Sequence, residues 1–196
     1  ARSMSNAKEV KGAAVLNNGL PGIAAGAAFQ TGDQQNLLSL AHPTIAGTVA
    51  NTLAVQADLN ETSLEQSLID IAAMTDERGL RIAAKGVKMI IPSANQFNAE
   101  RLMKSQGRTG TADNDINAIN SMGMIPQGYR VNNFLTDPDS FYIITDVPNG
   151  MKMFSRTPLT TSMEGDFDTG NVRYKARERY AFGASDFRGI FGSEGA

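Results

Sequence analysis

The stretch Met163-Glu164-Gly165-Asp166-Phe167-Asp168-Thr169-Gly170-Asn171-Val172-Arg173-Tyr174-Lys175-Ala176-Arg177-Glu178-Arg179-Tyr180 carries the most ordered pattern in the chain. Glu164, Asp166 and Asp168 alternate, so in extended backbone they share one face. Arg173, Lys175, Arg177 and Arg179 repeat that alternation after Gly170-Asn171. A two-residue hairpin turn there sets Asp168 opposite Arg173, Asp166 opposite Lys175 and Glu164 opposite Arg177. Each such opposite-charge pair contributes about 0.2–1 kcal/mol. Two other arrangements use the same pattern. The acidic and basic faces can meet across subunits, fixing geometry more than adding stability, or the hairpin can simply be solvated.

Upstream of this stretch, strand patterns at 129–134, 141–146 and 151–156 are separated by the turns Asp137-Pro138-Asp139 and Pro148-Asn149-Gly150. Strand pattern returns at 162–168 and 172–182. The first half is helical. Residues 2–16 read as a helix with Met4, Ala7, Val10 and Ala14 on one stripe, ended by Asn17-Asn18-Gly19 and Pro21-Gly22. Thr62-Ser63-Leu64-Glu65 reads as a capping box ahead of Leu64, Leu68, Ile71 and Thr75, a buried stripe running to Gly79. That role also accounts for the sequon Asn60-Glu61-Thr62. Val87–Ile91 is a short strand stopped by Pro92, and Ser93 with Gln96 opens a helix to about Ser105 that buries Phe97 and Leu102. Asp113 is a helix cap, with Ile116 and Ile119 on the short helix it begins. Between the first two helices, residues 19–59 are rich in Gly, Ala, Gln and Asn and nearly aperiodic, an arm that is either flexible or a binding surface. Helices first and paired strands later make the fold class α+β.

Composition removes most catalytic chemistry. The chain has 196 residues, no Cys and a single His. Disulfides, thiolate metal sites and histidine-rich zinc sites are excluded within one chain, and any Ser–His–Asp triad must use His42. His42 precedes Pro43 and reads as a turn residue. Net charge is −2, which does not suit tight nucleic-acid binding, and no apolar run is long enough for a membrane span. Charged residues at 19%, below the roughly 25% of typical soluble domains, favour burial against partners. Phe167-Asp168-Thr169-Gly170 matches the nucleus of an aspartic protease using Asp168, but Glu164, Asp166, Arg173 and Lys175 flank it where apolar strands are required. Asp113-Asn114-Asp115 fails as a calcium loop, because the sixth and twelfth positions hold Ala118 and Met124. No phosphate-binding glycine loop is present, and no catalytic residue, metal or cofactor is expected.

Several stretches resemble one family. They are Ala99-Glu100-Arg101-Leu102-Met103-Lys104-Ser105, Gly110-Thr111-Ala112-Asp113-Asn114-Asp115-Ile116-Asn117, Thr145-Asp146-Val147-Pro148-Asn149-Gly150, Thr161 through Gly170, Arg177-Glu178-Arg179 and Gly189-Ile190-Phe191-Gly192. They are similar to the major capsid proteins of tailed bacteriophages, and the order of elements agrees over essentially the whole chain. The resemblance implies the Hong Kong 97 type shell fold. It makes residues 2–16 the spine helix and 1–60 part of a peripheral domain. Residues 61–160 become the axial domain, and 161–196 the return to the peripheral domain through a long basic strand. It also makes 164–171 a loop, which favours pairing between subunits over the hairpin.

The implied function is a major head protein that self-assembles into pentamers and hexamers of an icosahedral shell around DNA. Glu164, Asp166, Asp168, Arg173, Lys175, Arg177 and Arg179 are then subunit-interface candidates. The implied partners are copies of itself, decoration, scaffolding and portal proteins, and packaged DNA held non-specifically, with no membrane. Its place is the virion, after assembly in the bacterial host cytoplasm. A nanocompartment or gene-transfer-agent shell shares the fold and is the alternative. Family members carry an N-terminal arm and an extended loop before the spine helix. The chain starts at Ala1 without either, so it is expected to be the C-terminal portion of a longer protein.

Overall fold

The computed structural model describes residues 2–21, 23, 29–108, 115–165, 168 and 170–196. A four-stranded sheet lies at its centre in the order β4-β3-β5-β8, formed by β3 (Gly86–Ile91), β4 (Tyr129–Val131), β5 (Phe141–Thr145) and β8 (Ile190–Ser193). β3 pairs parallel with β4 and antiparallel with β5, and β5 pairs antiparallel with β8. The strand pleat sends successive side chains to opposite faces. Met89, Ile91, Phe141, Ile143 and Phe191 enter one core with Leu64, Leu68 and Ile71 of α2 (Glu61–Ala73). Ala99 and Leu102 of α3 (Gln96–Lys104) and Ile119 of α4 (Ala118–Met122) complete that side. Tyr142 and Ile190, one residue out of phase, meet Val15 and Leu16 of α1 (Arg2–Asn17) with Leu20, Leu37 and Leu38 on the other face. The sheet is therefore covered on both sides.

The arm is partly ordered by pairing. β1 (His42–Thr44) and β2 (Gly47–Val49) form a small hairpin, and Thr52 bridges to Gly192 beside β8, its hydroxyl donating to the Gly192 carbonyl at 2.7 Å. Two residues past α1, a Cβ at Gly19 would sit 2.7 Å from Leu37 Cβ and 2.8 Å from the Val15 carbonyl, so only glycine lets the arm fold back here.

Several local expectations shift. The α1 contact line is not Met4, Ala7, Val10 and Ala14: Val10 is exposed, and the buried residues are Ala13, Val15 and Leu16. Its amino-terminal part faces a strand instead of the core, which selects a different stripe. The cap of α2 lies two residues before the expected one. Asn60 Oδ1 accepts from the Ser63 amide at 2.8 Å, and Ser63 Oγ accepts from the Asn60 amide at 3.0 Å. The helix stops at Ala73, and Gly79 lies in the turn that follows. A 3₁₀ turn at Ser93–Asn95 precedes α3 and sets its rotation, so Leu102 is buried and Phe97 is 73% exposed. α4 is capped by Asn117, Ile119 is buried and Ile116 is exposed, while Asp113 lies outside the described residues.

The remaining element is an antiparallel hairpin of β6 (Met151–Gly165) and β7 (Val172–Ala184). The strand pattern expected at 151–156 and the start of the one expected at 162–168 belong to a single strand, which ends at Gly165. It passes Pro158 through two irregularities, between Ser155 and Thr157 and between Thr157 and Thr160. A two-stranded ribbon offers only edges, where a missing N–H is tolerated and bulges are common.

Candidate functional site

Charge and exposure concentrate on the β6–β7 hairpin. Its closing pair is Gly165 with Val172, so residues 166–171 form the connection in place of a two-residue turn at Gly170-Asn171. Gly170 takes φ +68, which its lack of a Cβ permits. The longer loop changes the register. Glu164 stands opposite Arg173, not Arg177; Lys175 stands opposite Ser162, Arg177 opposite Thr160 and Arg179 opposite Thr157. Neither the Asp168–Arg173 nor the Asp166–Lys175 strand pairing occurs, because Glu164 takes the place opposite Arg173 and Ser162 the place opposite Lys175. Asp168 is exposed in a turn, and Asp166 lies outside the described residues, as do Phe167 and Thr169 of the protease-like tetrapeptide. The loop expected over 164–171 is shorter by its first two residues, since Glu164 and Gly165 are paired within the hairpin.

Cross-strand partners share a face, so the register sorts the hairpin into two sides. One side carries Arg173, Lys175, Arg177 and Arg179 with Glu164, Ser162, Thr160 and Thr157. Lys175, Arg177 and Arg179 make no ion pair with any other described residue. The other side carries Tyr174 with Met163, Tyr180 with Ser155, and Phe182 with Met153. Only its base is covered. Lys8 of α1 donates to Glu178 Oε1 at 2.8 Å, Lys8 and Lys11 Nζ lie 5.3 and 5.6 Å from the Tyr180 ring centroid, and Gly12 sits against Phe182. Toward the tip, Met163, Val172 and Tyr174 are 72%, 66% and 70% exposed. The two sides of the tip thus differ in chemistry, one cationic and hydroxylated, the other apolar.

The residue that the sequence reading missed is His42. It is fully buried, not a surface turn. Nδ1 lies 2.6 Å from Asp33 Oδ2, Nε2 lies 3.1 Å from Asn51 Oδ1, and the ring stacks on Phe187 at 3.9 Å and 5°. The Asp–His half of a triad is present, but Nε2 meets an amide oxygen where a serine hydroxyl would be needed. No local motif announces this cluster, because Asp33 and Asn51 are each nine residues away and Phe187 arrives from the far end of the chain. Among the described residues no three His, Cys, Asp or Glu side chains gather to hold a metal ion, and no helix is long and apolar enough to cross a membrane.

A family model described as phage capsid protein matches residues 1–192. No curated protein matches the chain. Among solved structures it is similar to a virus-like particle from Pyrococcus furiosus, with 12% identity over 73% of this chain and 55% of that one, TM-score 0.45. It is similar to Mycobacterium phage Che8, with 17% identity over 72% and 52%, TM-score 0.43. It is also similar to the capsid of an empty GTA particle, with 16% identity over 83% and 56%, TM-score 0.48. In each case the chain spans little more than half the length of the solved structure. Matched by the family model from its first residue to Gly192, the chain belongs to the phage capsid protein family.

Proposed function

We propose that the chain is the shell-forming part of a major capsid protein with the Hong Kong 97 type fold, assembling into pentamers and hexamers of an icosahedral shell that encloses DNA, without catalytic activity. The observation that carries this reading beyond family membership is the β6–β7 hairpin, whose tip exposes an apolar side and a cationic side at once. A two-stranded hairpin is marginal in water on its own, and exposed apolar side chains gathered on one side favour a partner. In a shell the partner is the next copy of the chain, and many modest contacts act together. Glu164, Asp166, Asp168, Arg173, Lys175, Arg177 and Arg179 then meet neighbouring subunits and fix their relative angle. Residues 1–60 and 161–196 form the peripheral domain and 61–160 the axial domain. Decoration, scaffolding and portal proteins complete the particle, which is assembled in the host cytoplasm.

Electron microscopy of the purified full-length protein tests this directly, with closed shells of pentamers and hexamers as the expected result. Arg177→Glu should abolish or distort those shells while circular dichroism and thermal unfolding stay as in the wild type. Normal shells from the Arg177→Glu protein would remove the interface role from this face.

A further inference from the structure

The His42 cluster carries an inference that is independent of the shell reading. Asn51 Nδ2 donates to the carbonyls of Leu37 at 2.7 Å, Phe187 at 3.0 Å and Ile190 at 3.3 Å. Those three bonds fix which end of the amide is which, so Oδ1 faces the Ser39 amide at 2.8 Å and His42 Nε2 at 3.1 Å. An amide oxygen only accepts, so Nε2 must donate. Nδ1 faces the Asp33 carboxylate, whose oxygens also accept from the Thr31 hydroxyl and the Gln35 amide. Both ring nitrogens therefore face acceptors, and only the imidazolium form supplies a hydrogen to each.

We propose that Asp33 and His42 form a proton-dependent clasp that pins residues 30–51 onto Phe187–Ile190, closed with two protons on the imidazole and loosened with one. Asn51 carries the connection, since it touches His42 on one side and the Phe187 and Ile190 carbonyls on the other. The charged groups around the ring are few. Asp33 faces it directly, and Arg188 Cζ lies 4.5 Å from the Phe187 centroid on which the imidazole stacks. Arg188 is itself held by Glu77 at 2.8 Å and Asp186 at 3.4 Å, so its charge is compensated locally. Removing one proton leaves two acceptors competing for one hydrogen on a fully buried ring, which costs one charge-assisted bond.

Amide hydrogen exchange on the full-length protein, corrected for intrinsic rates, reads the clasp. Between pH 5.5 and 8.5 the protection of Leu38 and Asn51 should fall by about tenfold to a hundredfold relative to Ile143 in the central sheet. Both amides belong to the clasped segment, Leu38 donating to the Gly19 carbonyl and Asn51 to the Ser39 carbonyl. His42→Gln, whose amide takes up no proton over this range, should show the same protection at both pH values, without the step. Asp33→Asn removes the counter-charge at a partly exposed position and should also erase the step, which covers the case of a His42 variant that fails to fold. Protection of these amides that is independent of pH in the wild type, or a step that survives both substitutions, would overturn the clasp.

Discussion

Asn51→Ala is the most informative single perturbation of the fold. The side chain is fully buried and makes five hydrogen bonds: three donated to Leu37, Phe187 and Ile190, and two accepted from Ser39 and His42. Truncation leaves the Ser39 amide and the His42 Nε2 hydrogen without their acceptor. Each buried polar group deprived of its partner costs about 1–3 kcal/mol, so the pair sets a loss of about 2–5 kcal/mol. Carbonyls can recover part of their bonding from a water that enters the vacated space, which keeps the value below a simple sum. Urea unfolding followed by circular dichroism measures the loss, and a domain of this size should melt lower by about 2–4 °C for each kcal/mol. Asn51→Asp sharpens the test, since it keeps the volume and the acceptor but sets a carboxylate against three carbonyl oxygens. It should be at least as damaging as alanine. A stability within about 0.5 kcal/mol of wild type for either variant, the range of an ordinary surface substitution, would refute the reasoning.

Three further outcomes follow from the same geometry. Asn60→Ala should cost about 0.5–2 kcal/mol by removing the cap of α2, while Thr62→Ala should stay within about 0.5 kcal/mol, both read by chemical denaturation. Leu102→Ala should cost about 2–5 kcal/mol through a cavity beside the sheet, whereas Phe97→Ser should leave thermal unfolding unchanged because the ring is exposed. Partial burial pushes the Asp33 carboxyl up, but hydrogen bonds from Thr31, His42 and the Gln35 amide outweigh it and hold the group below its ordinary range. A depressed carboxyl contributes its stability above the unfolded value of about 3.9 and loses it as pH falls through the folded one. The stability gap between wild type and Asp33→Asn should therefore close on acidification below about pH 4, as measured by denaturation at successive pH values.

What could be read from the sequence was local or repeated. The stripe Leu64, Leu68 and Ile71 marks the buried side of α2 whichever residue caps it, because the side chains two turns apart face the same core. Val87–Ile91 is bounded by Pro92, and Gly19 turns the chain just past α1, each through a constraint that one residue type meets. The family was legible from scattered stretches of the second half. The register of the hairpin was not, because it depends on loop length, and the alternation of charges fits several registers equally well. The unity of β6 is not legible either, because the strand pattern lapses around Pro158, which an unpartnered edge accepts. The α1 stripe depends on β7, which is 170 residues away at the Lys8–Glu178 contact, and periodicity within α1 contains no trace of it. His42 was misread for the same reason: a histidine beside a proline looks like a turn until Asp33, Asn51 and Phe187 are brought around it.

The two irregularities flanking Thr157 divide the labour between the strands of the ribbon. From Met151–Ala184 to Thr160–Arg177, β6 uses two more residues than β7, one at each irregularity. β7 runs on without insertion, so its alternation alone decides which side each pair faces, and every extra β6 residue is absorbed locally between intact pairs. Losing one residue between Ser155 and Thr160 would remove one irregularity and still leave Met163 beside Tyr174 and Glu164 beside Arg173. Length can therefore change on β6 at little cost to what the tip offers, whereas a single insertion or deletion in β7 would exchange its two sides.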